Sequence, residues 1–160
     1  MIKERGMDKK NLRIMLLAVA IIGSAWAEDA EPVNLALGAK AKASTTEVGK
    51  PDFVADGKLD TRWGSHLNVD PSWIALDLGT PKTFKTVRLY WKTAYATEYD
   101  LESSEDGKTW TKFYEQKDGN GNLENITLEK PVTTRYFRFF GKKRGTKFGY
   151  AFREIQLFAE

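Results

Sequence analysis

From Asn34 onward, apolar and polar residues alternate in short stretches separated by turn residues. This is the period-two pattern of strands that bury one face. Trp73-Ile74-Ala75-Leu76-Asp77-Leu78 is one such stretch, closed by Gly79 and Pro81. Phe84 to Trp91 is the next, with Val87, Leu89 and Trp91 on one face. Tyr99 to Ser103 is joined through Glu105-Asp106-Gly107 to Trp110-Thr111-Lys112-Phe113-Tyr114. Gly119-Asn120-Gly121-Asn122 marks a turn before Leu123 to Leu128, and Arg135 to Phe140 and Phe152 to Phe158 complete the set. No stretch sustains a helical period, and no internal repeat is visible. The pattern predicts an all-β antiparallel sandwich and leaves the strand order open. Trp63, Trp73, Trp91 and Trp110 fall at strand-like positions and are expected in its core.

The beginning of the chain follows another pattern. Lys3, Arg5, Lys9, Lys10 and Arg13 precede an apolar run from Ile14 to Gly23, and Ala25-Trp26-Ala27 supplies small residues for a cleavage site. This is the form of a secretory leader. The run is too short for a membrane anchor, which takes about 20 apolar residues. Residues 1–27 are therefore expected to be a signal peptide, 28–33 a short linker and 34–160 the folded domain. Removal of the leader takes five basic and two acidic residues with it and leaves 20 of each. The isoelectric point near 9.0 belongs to the leader, and no basic footprint for nucleic acid remains. The absence of cysteine excludes disulfides and thiolate metal sites. The expected location is secreted or periplasmic.

A series of motifs then narrows the class. Asn34-Leu35-Ala36 with Gly38 is followed by Ala55-Asp56-Gly57 and Thr61-Arg62-Trp63. Trp73-Ile74 with Asp77-Leu78-Gly79 comes next, then Trp91 to Tyr99 with Ser104, Asp106-Gly107 and Trp110-Thr111. The tail supplies Arg135-Tyr136, Arg144-Gly145-Thr146, Gly149-Tyr150 and Glu154. In this order the chain resembles the discoidin, or coagulation factor V/VIII type C, domain. Within that group it is similar to carbohydrate-binding module family 32, and to the discoidin modules of bacterial chitosanases. The resemblance implies a discoidin-like jelly-roll β-sandwich of the galactose-binding-domain-like class, with ligand loops at one end.

It also implies a structural calcium ion. Calcium takes several oxygen ligands. By resemblance, Asp56, Thr61 and Glu154 would supply side-chain oxygens, and Phe53, Lys58 and Arg153 would supply carbonyls. From the residues alone, an Asx-turn at Asp56 and a surface Glu154 account for the same sequence.

A sugar site needs a flat aromatic ring and a few polar side chains in a shallow cleft. The resemblance brings four loops together, and they offer Glu47, Arg62, His66, Lys92, Tyr95, Arg144, Phe148 and Tyr150. Tyr95 and Tyr150 could equally be packing residues, and Arg62 could brace its loop. Modules that bind chitosan use carboxylates to hold a cationic sugar. Glu47 matches one of them, whereas Lys92 stands where a second is expected. Together with Lys142, Lys143, Arg144 and Lys147, this favours a neutral or anionic glycan. The basic loop could also be merely solvated. His66 is the sole histidine, so neither a histidine triad nor a zinc cluster can form. The expectation is a non-catalytic glycan-binding domain that acts alone or beside a separate enzyme or assembly. The alternative is a protein- or lipid-binding adhesion domain, although a mature net charge of zero attracts anionic lipid little.

Overall fold

The computed structural model describes residues 32–160; the expected leader and most of the linker lie outside them. The strands are β1 (Lys40–Ala43), β2 (Val48–Gly49), β3 (Trp63–Gly64), β4 (Ser72–Trp91), β5 (Ala96–Ser104), β6 (Thr111–Gln116), β7 (Glu124–Arg144) and β8 (Ala151–Phe158). All pair antiparallel. A 3-10 turn, Pro51–Ala55, lies between β2 and β3.

Two strands are much longer than the alternation suggested. The Trp73 and Phe84 stretches are halves of β4, and the Leu123 and Arg135 stretches are halves of β7. Gly79 and Pro81 do not end β4. They form an irregularity between Asp77 and Lys82, after which pairing with β7 resumes at Lys82↔Thr134. Gly79 has φ +80°, a region that favours glycine. Its N–H is held 2.9 Å from Asp77 Oδ1.

The long strands carry both layers of the sandwich. The first half of β4 pairs with β1 and with the second half of β7, which continues to β5 and β6. The second half of β4 pairs with the first half of β7 and with β8, which continues to β3 and β2. Strands that cross between sheets through bulges make the corners of such a fold. At the other edge, Leu35 N–H donates to Leu157 O at 2.8 Å, and Leu157 N–H donates to Asn34 Oδ1 at 3.1 Å.

The core between the layers is aromatic. Phe152 stacks on Trp91 with ring centroids 4.1 Å apart and meets Phe139 edge-on at 4.8 Å. Trp63 lies nearly parallel to Phe152, with centroids 6.3 Å apart. Burying one such ring stabilises the fold by about 1.5–3 kcal/mol. Trp63 and Trp91 are therefore core residues as expected, but Trp73 and Trp110 are only half-buried. Ile74, Leu76 and Leu78 are buried, so Trp73 projects from the opposite face of β4. Trp110 lies under the Arg138 guanidinium, 4.3 Å from its ring centroid.

One carboxylate serves this core. Glu124 accepts from Trp91 Nε1 at 2.7 Å and from the Tyr99 hydroxyl at 2.6 Å. Burial, then the adjacent Glu124 carboxylate, pushes the Tyr99 pKa well above the ordinary phenol value. A buried donor left without its acceptor costs about 1–3 kcal/mol. Glu124→Ala strands two donors and is expected to lower stability by roughly 2–5 kcal/mol, read from denaturant unfolding. Glu124→Gln, which keeps an acceptor, is expected to lose less.

Candidate functional site

The loops at one end of the sandwich surround a cleft of about 300 Å³. Each loop is fixed by backbone hydrogen bonds. Glu47 N–H donates to Gly64 O at 2.8 Å and Ser65 N–H to Tyr150 O at 2.8 Å. Lys92 N–H donates to Ala151 O and Ala151 N–H to Ala94 O, both at 2.9 Å. The buried Trp63 indole holds the first loop by donating to Thr45 O at 3.2 Å and Thr46 Oγ1 at 3.1 Å. Gly149 has no room for a side chain, since a Cβ would sit 2.3 Å from Ser65 Oγ. The cleft is thus formed before any ligand arrives, which reduces the ordering cost of binding.

Glu47, Arg62, Lys92, Phe148 and Tyr150 line this cleft together. Phe148 is 40% exposed, with Lys147 Nζ 5.6 Å from its ring centroid. Arg62 and Lys92 make no ion pair among the described residues. Glu47 is half-exposed, with its Oε2 3.7 Å from His66 Nε2, so His66 stands at the rim. Tyr150 reaches the cleft from the core. Its ring is fully buried and meets Phe139 at 5.7 Å.

Two residues sit differently. Tyr95 does not line the cleft. Its ring rests against two glycines: a Cβ at Gly121 would be 2.4 Å from Cδ1, and one at Gly145 would be 2.2 Å from Cε2. Arg144 is consumed in a brace, donating from Nε to Asp70 Oδ2 at 2.8 Å and from Nη1 to Asn68 Oδ1 at 2.9 Å. The Tyr150 hydroxyl donates to the other Asp70 oxygen. Burial and this contact push the Tyr150 pKa upward. Asp70 thereby joins the β3–β4 loop to the β7–β8 loop, and sequence reasoning missed it. It also missed Ser65 and Thr93, which line the cleft.

The basic segment carries less free charge than its sequence suggests. Lys142 pairs with Asp100 and Glu115 at 2.8 Å, and Lys143 with Glu98 at 3.1 Å. The Lys142 ammonium holds the Glu115 pKa down to about 2. With Arg144 also paired, the positive character of the cleft comes from Arg62 and Lys92 instead.

A second polar cluster lies beside the 3-10 turn. Asp56 accepts from Lys58 N–H at 2.9 Å, and Thr61 Oγ1 stands 3.0 and 2.9 Å from its two oxygens. Glu154, fully buried on β8, accepts from Gly57 N–H at 3.1 Å through Oε1. Its Oε2 is buried without a partner. Burial raises the Glu154 pKa from an ordinary 4.5 to about 8, against the Gly57 hydrogen bond; Asp56 adds to the rise. Arg153 directs its guanidinium to Leu59 O at 2.9 Å. Among the described residues, no three His, Asp or Glu side chains converge. A cation held by Asp56 and Glu154 therefore needs backbone oxygens too. Phe53, Lys58 and Arg153 belong to the segments that carry this cluster.

A jelly-roll sandwich that gathers its end loops around a preformed cleft is a ligand-binding module of the discoidin class. The chain belongs to the F5/8 type C domain family, which its residues 39–155 match. Chitosan-binding module 1 of a Paenibacillus sp. IK-5 chitosanase/glucanase is 37% identical, with a TM-score of 0.75 over 79% of this chain and 98% of that one. Module 2 of the same enzyme, solved with chitotriose, is 32% identical, with a TM-score of 0.74 over 78% of this chain and 99% of that one. Rat (Rattus norvegicus) lactadherin is 32% identical over 100 residues, 51% of this chain and 23% of its own length. The chain thus spans about a quarter of the curated relatives it matches. It is a carbohydrate-binding-module-like discoidin domain.

The buried carboxyl makes stability depend on pH in a defined direction. Between about pH 4.5 and 8, native Glu154 keeps a proton that the unfolded chain releases. Folding therefore takes up a proton, and stability falls as pH rises through this window. With divalent cations removed by chelator, melting temperature is expected to decline from pH 5 to pH 8, and Glu154→Gln is expected to flatten the decline.

Proposed function

We propose that this domain is an exported, non-catalytic module that holds a neutral or anionic glycan in its loop-end cleft. The observation that carries this is the lining of the cleft. Phe148 offers an exposed aromatic face, and the unpaired Arg62 and Lys92 outnumber the single carboxylate of Glu47. An aromatic face suits the apolar C–H surface of a sugar, while the cations suit hydroxyls or a carboxylate. A polycationic chain such as chitosan meets two like charges here, although the related modules bind it. In this proposal the fixed loops bind and orient the sugar, and the Arg144–Asp70–Tyr150 brace keeps one wall in place. No side chain performs chemistry.

A single such site binds weakly, with a Kd on the order of micromolar to millimolar. Phe148→Ala is expected to weaken binding about fivefold, by loss of roughly 1 kcal/mol of stacking, with an unchanged melting curve. Lys92→Glu is expected to shift preference toward amino sugars and away from uronic acids. Calorimetric titration with chitosan, galactose-containing and uronic-acid oligomers checks both. Wild-type preference for chitosan oligomers would overturn the ligand class. Leu67 and Phe148 are exposed at the same end and favour a second reading, insertion into a lipid surface. Binding to anionic liposomes with no glycan bound would select it.

We further propose a structural calcium ion beside the 3-10 turn. The supporting observation is the orphaned, buried Oε2 of Glu154 within the cluster that contains Asp56 and Thr61. Asp56, Thr61 and Glu154 would hold the ion with the carbonyls of Phe53, Lys58 and Arg153. When bound, it would neutralise the paired carboxylates and tie the 3-10 turn to β8. Added calcium is expected to raise the melting temperature at pH 8 more than at pH 5, since ligation needs the ionised carboxylate. Equal melting curves in calcium and in chelator, with no metal by elemental analysis, would reject the ion.

A further inference from the structure

The outer face of one layer carries a second cleft, of about 430 Å³. It shares no lining residue with the loop-end cleft. The strand register explains its shape. Lys42 on β1 lies opposite Ala75 on β4, Ala75 opposite Arg138 on β7, and Arg138 opposite Glu102 on β5. Ala75 is the short member of this row, so a trough forms between two long side chains. Trp73 lies two residues from Ala75 on the same face, and Tyr136 two residues from Arg138. Trp110 and Tyr136 line the trough beyond Arg138.

The surface is built rather than loose. The Arg138 guanidinium stands 4.3 Å from the Trp110 ring centroid and 5.2 Å from that of Phe140, and it is paired with Glu102. The Tyr136 ring rests on Gly107, where a Cβ would approach to 3.3 Å. On its other neighbour, the Arg135 guanidinium lies 4.9 Å from the ring centroid. These are flat plates with restricted freedom, the kind of anchor that costs little entropy on binding.

Its charges are unevenly committed. Asp77 is held by both Arg135 nitrogens at 2.9 Å. Asp106 is occupied by the N–H groups of Lys108 and Thr109 and by the Ser104 hydroxyl. Asp52, at the edge of β1, accepts from Ala41 N–H. The ammonium groups of Lys40, Lys42 and Lys108 have no such partner among the described residues. The trough is thus aromatic along its walls and cationic along both lips.

We propose that this face is a second glycan-binding surface, and that it takes an acidic, uronate-containing polysaccharide chain. A polyuronate presents both things the trough can use. Its C–H faces stack on the rings of Trp73, Trp110 and Tyr136, and its carboxylates meet the free lysines on either lip. A bare polyanion satisfies only the lysines. A chain long enough to occupy this face and the loop-end cleft gains from multivalency.

Affinity electrophoresis of the full mature chain tests this, using gels that contain polygalacturonate, polyglutamate or a neutral glucan at physiological salt. Polygalacturonate is expected to retard the wild type more than polyglutamate does. Lys40→Glu/Lys42→Glu is expected to weaken this about tenfold, and Lys108→Glu, on the opposite lip, to weaken it independently. All three side chains are exposed, and melting curves verify that the variants fold. Each lysine variant is also measured in the Phe148→Ala background, where loop-end binding is weakened and the retardation that remains reports on this face. Retardation in the Phe148→Ala background that neither lysine variant reduces would overturn the proposal. So would equal retardation by polyglutamate, loss of retardation in Phe148→Ala, or no retardation of the wild type.

Discussion

The β4–β7 ladder is the constraint on which the rest of the fold depends. Each strand runs through both layers, so one ladder, interrupted by two register shifts, sets the position of the strands on either side. Its register brings Ile74 opposite Phe139 in one layer and Val87 opposite Ile126 in the other, and each pair contributes to the shared core. The bulge at Gly79 turns the strand without breaking it. The Asp77–Arg135 fork stands beside that bend and holds the Asp77 pKa below the usual carboxylate range. Loss of pairing in either half of the ladder would remove a wall of the core and release the loops at its ends.

The loop end follows from that frame. Trp91 closes β4 and Arg144 closes β7 at opposite ends of this antiparallel ladder. Because the ladder crosses from one layer to the other, the β4–β5 and β7–β8 connections still meet, with Gly145 N–H donating to Tyr95 O at 2.8 Å. Backbone hydrogen bonds through Lys92, Ala94 and Ala151 then fix their spacing. Side chains decide what the enclosed space prefers. Lys142 and Lys143 are neutralised by carboxylates on neighbouring strands and Arg144 by Asp70, which leaves Arg62 and Lys92 to set the sign of the cleft lining. Charge counted along a segment and charge presented to a ligand are therefore different quantities in this domain.

Much of the fold was legible from alternation and turn residues, because strand faces are written locally. The all-β class and most strand positions followed from runs such as Trp73 to Leu78. The same alternation also contained the correction for Trp73: if Ile74, Leu76 and Leu78 face inward, Trp73 cannot. Size and apolarity pointed to the core, but Arg138 stacking keeps Trp110 at the surface instead. The short β1, β2 and β3 went unseen because two to four residues carry too little pattern. In the cleft, Glu47, Arg62, Lys92 and Phe148 could be assigned to loops from the ordered motifs. Asp70 could not, since its partners lie 74 and 80 residues away and nothing local marks the pairing. Tyr95 was ambiguous for a related reason. Only the approach of Gly121 and Gly145 to its ring shows that it is packed.

The hydrogen bonds that join Asn34 and Leu35 to Leu157 have a consequence for how this architecture can be rearranged. They put the entry and exit of the fold side by side. The order in which the strands are connected is then only one of several compatible with the same packing. A circularly permuted chain, with a short linker across Asn34 and Leu157 and new ends opened in the exposed Asn120–Asn122 turn, keeps the β4–β7 ladder and all four cleft loops unbroken. For a domain without disulfides, the integrity of the binding end resides in that ladder and not in the place where the backbone begins.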